Sequence, residues 1–453
     1  MRIAIACTVL GDLIIRMGSL EAHYTQHGVW PANLVFTFIG KPGAWSFHCL
    51  YDTYAWEVFL FGFHVLLGLT LLLGYKTRIT TVLLWLFTIS LHNRNIYILQ
   101  AGDDLLRLTL FWGIFLNWGS HYSIDSKLAQ KSSNSPMVAQ AGYLMLLVSV
   151  YLFTVLLKSG DEWRVDGTAV YYALSLEQLR LPFTGDWLYA HPLLMQWITR
   201  LVYGIEIMIP LLLLWPSHKK ITFGLAFVLI LLLHIGIGLT LYVGLFFFIN
   251  MVTAIALLPE SFFIKLEKKW KLFVPPPSVS ETSSTNRFLL NGFLSLIIFL
   301  NFLINLGGLQ FFPYQPAPPL TYLGFATGMD QYWGMFSPNI LKKDAWPVLY
   351  GVDDRYRQWD LRTNTDYVDF AKPKHIVSLY TSDRWRKLSE NLQSENYTFL
   401  RAPYCKFMLK YFNRKHPEKK IVNLNLYFMS EENLAGYKTT PPKKELYCVC
   451  NEP

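Results

Sequence analysis

The chain has 453 residues, 53% of them hydrophobic and 16% aromatic, with only 16% charged and a mean hydropathy of +0.28. Soluble chains carry about a quarter charged residues; the deficit here falls in long apolar runs, which excludes an ordinary soluble enzyme and predicts an all-α polytopic membrane bundle. The net charge of +9 arises as short lysine clusters between those runs, and with no phosphate loop, zinc-finger spacing or RNA-binding aromatic motif, no nucleic-acid partner is expected.

Met1 to Met17 is apolar but interrupted by Asp12 and Arg16. No small-residue cleavage site follows, so a first span is expected rather than a cleaved signal. Asp12 and Arg16 lie one helical turn apart and are expected to pair. About nine apolar segments follow the rule of roughly 20 residues per crossing, near 3–18, 54–74, 79–98, 104–118, 137–157, 193–216, 221–240, 243–259 and 287–307. The fourth and eighth are short and read as tilted, extended by polar flanks, or partly re-entrant. Basic residues cluster at Lys76 and Arg78, at Lys127 and Lys131, at Lys219 and Lys220, and at Lys265, Lys268, Lys269 and Lys271. Counted through nine spans, all four clusters fall on one side, which the positive-inside rule makes cytoplasmic. The N-terminus is then cytoplasmic, and the loops 19–53 and 158–192 and everything after 307 are extracytoplasmic.

From Gly308 to Pro453 charges become frequent and the apolar runs shorten. Trp346 to Tyr350, Gly351 to Asp354 and Tyr356 to Leu361 read as strand, turn, strand. Lys387 to Lys410 reads as helix broken at Pro403, and Ile421 to Met429 as a strand. The expected organisation is a transmembrane helical domain over 1–307 and a small extracytoplasmic α+β domain over 308–453. On an oxidising face Cys405 pairs with Cys448 or Cys450, or all remain thiols; both readings stand. The two-residue step from Cys448 to Cys450 is too short for zinc spacing and no histidine pair accompanies it, so no metal is expected.

Ionisable groups in lipid cost about 2.5–3.5 kcal/mol on insertion scales, so His64, His92, Arg107, Glu206 and His234 each need a reason. Arg107 has Asp103 four residues earlier and Asp104 beside it, which reads as a helix start capped by Asp103 with an internal pair. Glu206 sits mid-span in LVYGIEIMIPLLLL with no basic residue on its face. It is either protonated or paired with another helix, in a structural or a functional role. His234, in LLLHIGIGLTL, reads first as a packing residue, while Gly236 and Gly238 just after it thin the helix enough to admit a neighbouring helix or a flat ring.

The most chemically suggestive stretch is YLFTVLLKSGDEWRVDGTAVYYALSLEQLRLP, from Tyr151 to Pro182. Lys158 ends an apolar helix. Its bland role is to complement the helix dipole and snorkel to water before the stop at Gly160. Its functional role is that of an amine in a poorly solvated site, neutral enough to act as a base, with Asp161, Glu162 and Trp163 shaping the mouth.

The start MRIAIACTVLGDLIIRM, the segment GYKTRITTVLLWLFTISLHNRNIYILQAGDDLLRLTLFWGIFLNWG and the late QYWGMFSPNI resemble the HTTM family of membrane proteins, which includes the vitamin K-dependent gamma-glutamyl carboxylases. The resemblance implies a multi-pass membrane enzyme of lyase type, acting in a plasma or inner membrane on a lipid-soluble quinone, reduced vitamin K or menaquinol, with oxygen and carbon dioxide. Lys158, with Trp163 and Gly167 following, matches the family's proposed base for deprotonating the quinol, and His234 matches a second family histidine. His92 lies near the position of a further family histidine and, with Trp163 and Glu206, is assigned to the cofactor site. The product of quinol deprotonation and oxygen addition would be an alkoxide basic enough for gamma-carboxylation of a secreted peptide or protein. Only 308–453 follows the last span, so the propeptide-gripping portion of the eukaryotic carboxylases is not carried over. Epoxidase activity without carboxylation, or another acceptor, fits equally. The alternative class is a non-catalytic membrane scaffold or transporter-like protein, or a sporulation-delaying-type peptide-maturation protein. The absence of repeated spans weighs against a standard transporter.

Overall fold

The computed structural model describes residues 1–128, 131–132, 135–269, 278–279, 284–309, 311–312 and 314–452; Lys271 lies outside them. Among the described residues, the ten longest helices of the first part are α1 (Arg2–Met17), α2 (Tyr54–Leu73), α3 (Thr77–Arg94), α4 (Ala101–Phe115), α5 (Met137–Leu157), α6 (Pro192–Leu214), α7 (Lys219–Thr240), α8 (Phe246–Ala254), α9 (Glu260–Lys269) and α10 (Ser284–Gly307). Local chemistry sets several of their ends. The Thr53 hydroxyl accepts from the Trp56 N–H at the start of α2, and Gly74, at φ 70°, takes the left-handed turn that ends it. Pro192 opens α6 where no N–H is needed.

Among the described residues, α2, α5, α6, α7 and α10 are long and apolar enough to cross a membrane. The segment Phe246–Leu257 and α9 form a pair bent by 97°, which makes a sixth if they count as one span. The nine segments all become helices, and five of them, or six with the bent pair, meet the length and apolarity of a crossing. Of the others, α1 has 16 residues and α4 has 15, under the usual length of about 20. α3 ends in His92, Asn93 and Arg94, all buried. These three helices carry the polar interior, which is why their hydropathy falls below that of their neighbours.

α1 packs on α2, α2 on α3, α3 on α4, α5 on α6 and α10, and α6 on α7. At one end the Arg2 guanidinium donates to the Leu72 carbonyl at 2.6 Å and the Trp118 carbonyl at 3.1 Å. There Asp125 accepts from the Lys76 and Thr77 N–H groups at 2.8 and 2.7 Å, so the first two basic clusters share this end.

The tail sits at the other end. It begins with α11 (Pro318–Thr327) and continues as a five-stranded sheet of β1 (Lys343–Asp353), β2 (Gln358–Asp360), β3 (Ile421–Leu434), β4 (Lys438–Thr439) and β5 (Lys443–Asn451), with α12 (Asp383–Leu392) and α13 (Arg401–Lys415) between β2 and β3. The path is β2-β1-β3-β4, with β5 also antiparallel to β3. The Ile421 strand appears as the sequence predicts, and so does the strand–turn–strand, except that Gly351–Asp353 extend the first strand and the turn falls after Asp353. The helical break does not fall at Pro403: it spans Gln393 to Leu400, and Pro403 lies in the first turn of α13, where its missing N–H removes no helical bond. The tail is docked, not tethered. The Asn391 amide donates to the Tyr97 carbonyl at 2.6 Å, the Trp385 indole to the Ser19 hydroxyl at 2.9 Å, and the Val377 N–H to the Glu177 carbonyl at 3.0 Å.

Candidate functional site

α5 stops at Leu157 because the next residue leaves helical geometry: Lys158 has ψ 69°. Gly160 then turns its N–H away from the helix to the Pro338 carbonyl at 3.1 Å. A Cβ at Gly160 would lie 1.8 Å from Asn339 Oδ1 and 2.6 Å from the Pro338 carbonyl, so only glycine allows this approach. The short helix Asp161–Arg164 follows and swings Trp163 back over the lysine.

The Lys158 amine lies 2.7 Å from each Glu206 carboxylate oxygen and 3.8 Å from the centre of the Trp163 ring. The two charged side chains are 4% and 8% exposed. Glu206 is therefore paired with another helix, answering the question its position in α6 leaves open. Trp163 is fixed in turn by donating its indole N–H to the Phe336 carbonyl at 2.9 Å, and the Thr154 hydroxyl reaches the Trp333 carbonyl at 3.0 Å. Thus Gln331–Ile340, the QYWGMFSPNI segment, is a strap across the lysine edge, held by main-chain carbonyls.

His234 enters through an aromatic neighbour. Its ring stands 6.1 Å from Tyr151, edge to face, and 5.6 Å from Phe246. Its Nδ1 is 2.9 Å from the Ile230 carbonyl. A carbonyl only accepts, so Nδ1 carries hydrogen and a neutral ring keeps its lone pair on Nε2. Tyr151 is seven residues before Lys158 and hence on the same face of α5, a spacing that could have marked it from sequence.

His92 belongs to a different cluster. Its Nε2 is 3.6 Å from Asp103, in a buried group where Arg16 pairs with Asp12 at 2.7 Å and Asp103 at 2.6 Å. The Asp12–Arg16 pair appears as expected. The Asp103–Arg107 pair does not. Asp103 turns back to cap α4, accepting from the Gln100 N–H at 2.8 Å, and takes both Arg16 and Arg384. Arg107 instead bonds Asp104 at 3.0 Å and the Asp330 carbonyl at 2.7 Å. Ligand atoms of Asp12, His92 and Asp103 lie within 4.8 Å of one another, but two guanidiniums occupy the carboxylates, so the set suits an ion-pair cluster better than a cation. Nearby, His48 pairs with Glu57 at 2.6 Å, and His64 is buried on the same face of α2 as Glu57.

Two cavities lie elsewhere. One of about 20 Å³ is lined by Trp112, Ser149, Asn301 and Gln331; an open cleft of about 600 Å³ is lined by Asn33, Phe36, Leu50 and Asp52. Neither is lined by Lys158. No known protein family matches the chain, and no curated protein or solved structure matches it.

Proposed function

We propose that the chain is a membrane-embedded enzyme in which Lys158 and Glu206 together remove a proton from a weakly acidic hydroxyl of an apolar, membrane-soluble substrate. The first candidates are the reduced quinones named by the HTTM resemblance, vitamin K hydroquinone or menaquinol, which would supply such a hydroxyl at the membrane edge. The observation that carries the reading is the buried amine–carboxylate contact under Trp163. In poor solvation a charged pair loses ground to its neutral form. Passing the lysine proton to Glu206 leaves a neutral amine, and Glu206 becomes a proton acceptor rather than a ring-binding residue. Trp163 and Tyr203, with ring centroids 6.5 Å apart, supply aromatic faces, and Tyr151, whose ring stands beside His234, also interacts electrostatically with Glu206. The topology proposed with this is the nine-segment one, basic loops cytoplasmic and the lysine edge and sheet domain outside.

The same contact favours a second reading: both Glu206 oxygens and the Trp163 face saturate the amine, as in a structural pair of a non-catalytic scaffold. Purified protein given either quinol and oxygen separates the two. Epoxide formation by the wild type that falls at least about 100-fold in Lys158→Met, with the fold intact by gel filtration, supports the enzyme. Equal, negligible turnover by wild type and variant leaves the scaffold.

A further inference from the structure

The sheet domain holds three of the five cysteines at one helix–strand contact. Cys405 is fully buried on α13, and Cys448 and Cys450 lie two residues apart on β5, so both face α13. Their partners differ. Cys450, opposite Leu424 on β3, places its sulfur 2.7 Å from that of Cys405. Cys448, opposite Leu426, points its sulfur at the Arg401 carbonyl, 3.2 Å away. Arg401 is one helical turn before Cys405. A turn of helix rises about 5.4 Å and two strand residues about 6.8 Å, so the two strand cysteines fall level with two successive turns of α13. Cys448 also lies near enough to act on the Cys405 thiol, but the direct sulfur–sulfur contact is made by Cys450.

We propose that Cys405 and Cys450 are a disulfide site that staples the last strand to α13, with Cys448 left as a thiol. The pairing needs only a small closure to reach the covalent separation of about 2.05 Å. It requires each thiol to lose its proton and the pair to lose two electrons. A small-molecule disulfide such as glutathione disulfide accepts them and leaves as two thiols. The Cys450 thiol is held above its ordinary range by the neighbouring Cys405 sulfur and by burial, so the reduced pair gains no thiolate stabilisation to resist oxidation. The packing that sets the pair together is the same on either side of the membrane, and in the cell the bond forms where that side is oxidising.

The test is peptide mapping of the purified, fully reduced chain after incubation with glutathione disulfide, then alkylation of remaining thiols in denaturant. Fragmentation of the C-terminal peptide should show Cys450 joined to Cys405 and Cys448 alkylated. Cys448→Ser should leave the cross-link in place, and Cys450→Ser should abolish it. A Cys405–Cys448 link in the wild type, or alkylation of all three without reduction, overturns the proposal; both are read on the unmutated chain, so a variant that fails to fold does not decide it.

Discussion

Replacing Arg384 by methionine should loosen the grip of the sheet domain on the helical bundle. The guanidinium comes from α12, is 5% exposed, and donates to Asp12 at 2.8 Å, to both oxygens of Asp103 and to the Ile98 carbonyl at 2.9 Å. With Arg16 it balances two buried carboxylates; without it the cluster carries one net negative charge, and Arg16 alone must serve Asp12 and Asp103. Removing one partner from a buried pair costs about 3–5 kcal/mol, a large share of a typical stability of about 5–15 kcal/mol. Thermal unfolding in detergent, followed by tryptophan fluorescence, reads this. Trp385 is a local reporter, since its ring lies 4.5 Å from His23 of the bundle. Trypsin should also release the sheet domain faster. Adding Asp12→Asn restores neutrality, and the double variant should regain part of the loss. A single variant within about 1 kcal/mol of wild type, or a double no better than the single, would refute the account.

Two further outcomes follow from the tail and the strap. Asp344 on β1 accepts from the Glu177 N–H at 2.9 Å, and burial, outweighing that bond, pushes its carboxyl up to about 7. A raised acid favours the folded state when protonated. Its contribution is full below about pH 4 and is lost as pH rises through about 7, a change of order 4 kcal/mol. Unfolding midpoints measured from pH 4 to 8 should therefore fall more steeply for wild type than for Asp344→Asn, and parallel curves would dismiss this. Gly160→Ala should displace Asn339 and the Pro338 carbonyl, costing about 1–3 kcal/mol. Gly160→Ala/Asn339→Ala should recover some of it, and an unshifted midpoint in the single variant would count against the close approach.

Residues a turn apart could be paired by reading the chain, and residues far apart could not. Asp12 and Arg16 were legible because helical spacing alone brings them together. Glu206 announced that it needed a partner, but that partner lies 48 residues away across two helices. Arg384 gave no sign at all: it lies 281 residues from Asp103, in a tail whose polar composition promised only solvent. Asp103 was legible as the cap of its own helix start, but its ion-pair partners, Arg16 and Arg384, were not, because both come from distant elements while spacing offers only Arg107. The long apolar helices were legible by length. The shorter α1, α3 and α4 carry polar groups that look isolated when read singly, whereas in the fold Asp12, Arg16, His92 and Asp103 assemble into one buried charged network.

The strap over Lys158 grips through the peptide carbonyls of Trp333, Phe336 and Pro338. Such attachment is strict about length, and the buried side chains of Trp333 and Ile340 seat the same stretch in the core. Inserting one residue into Gln331–Ile340 slides every downstream oxygen off its donor and takes the buried side chains out of register with it. Exposed positions of the strap such as Tyr332 accept substitution, but its length does not change without loss.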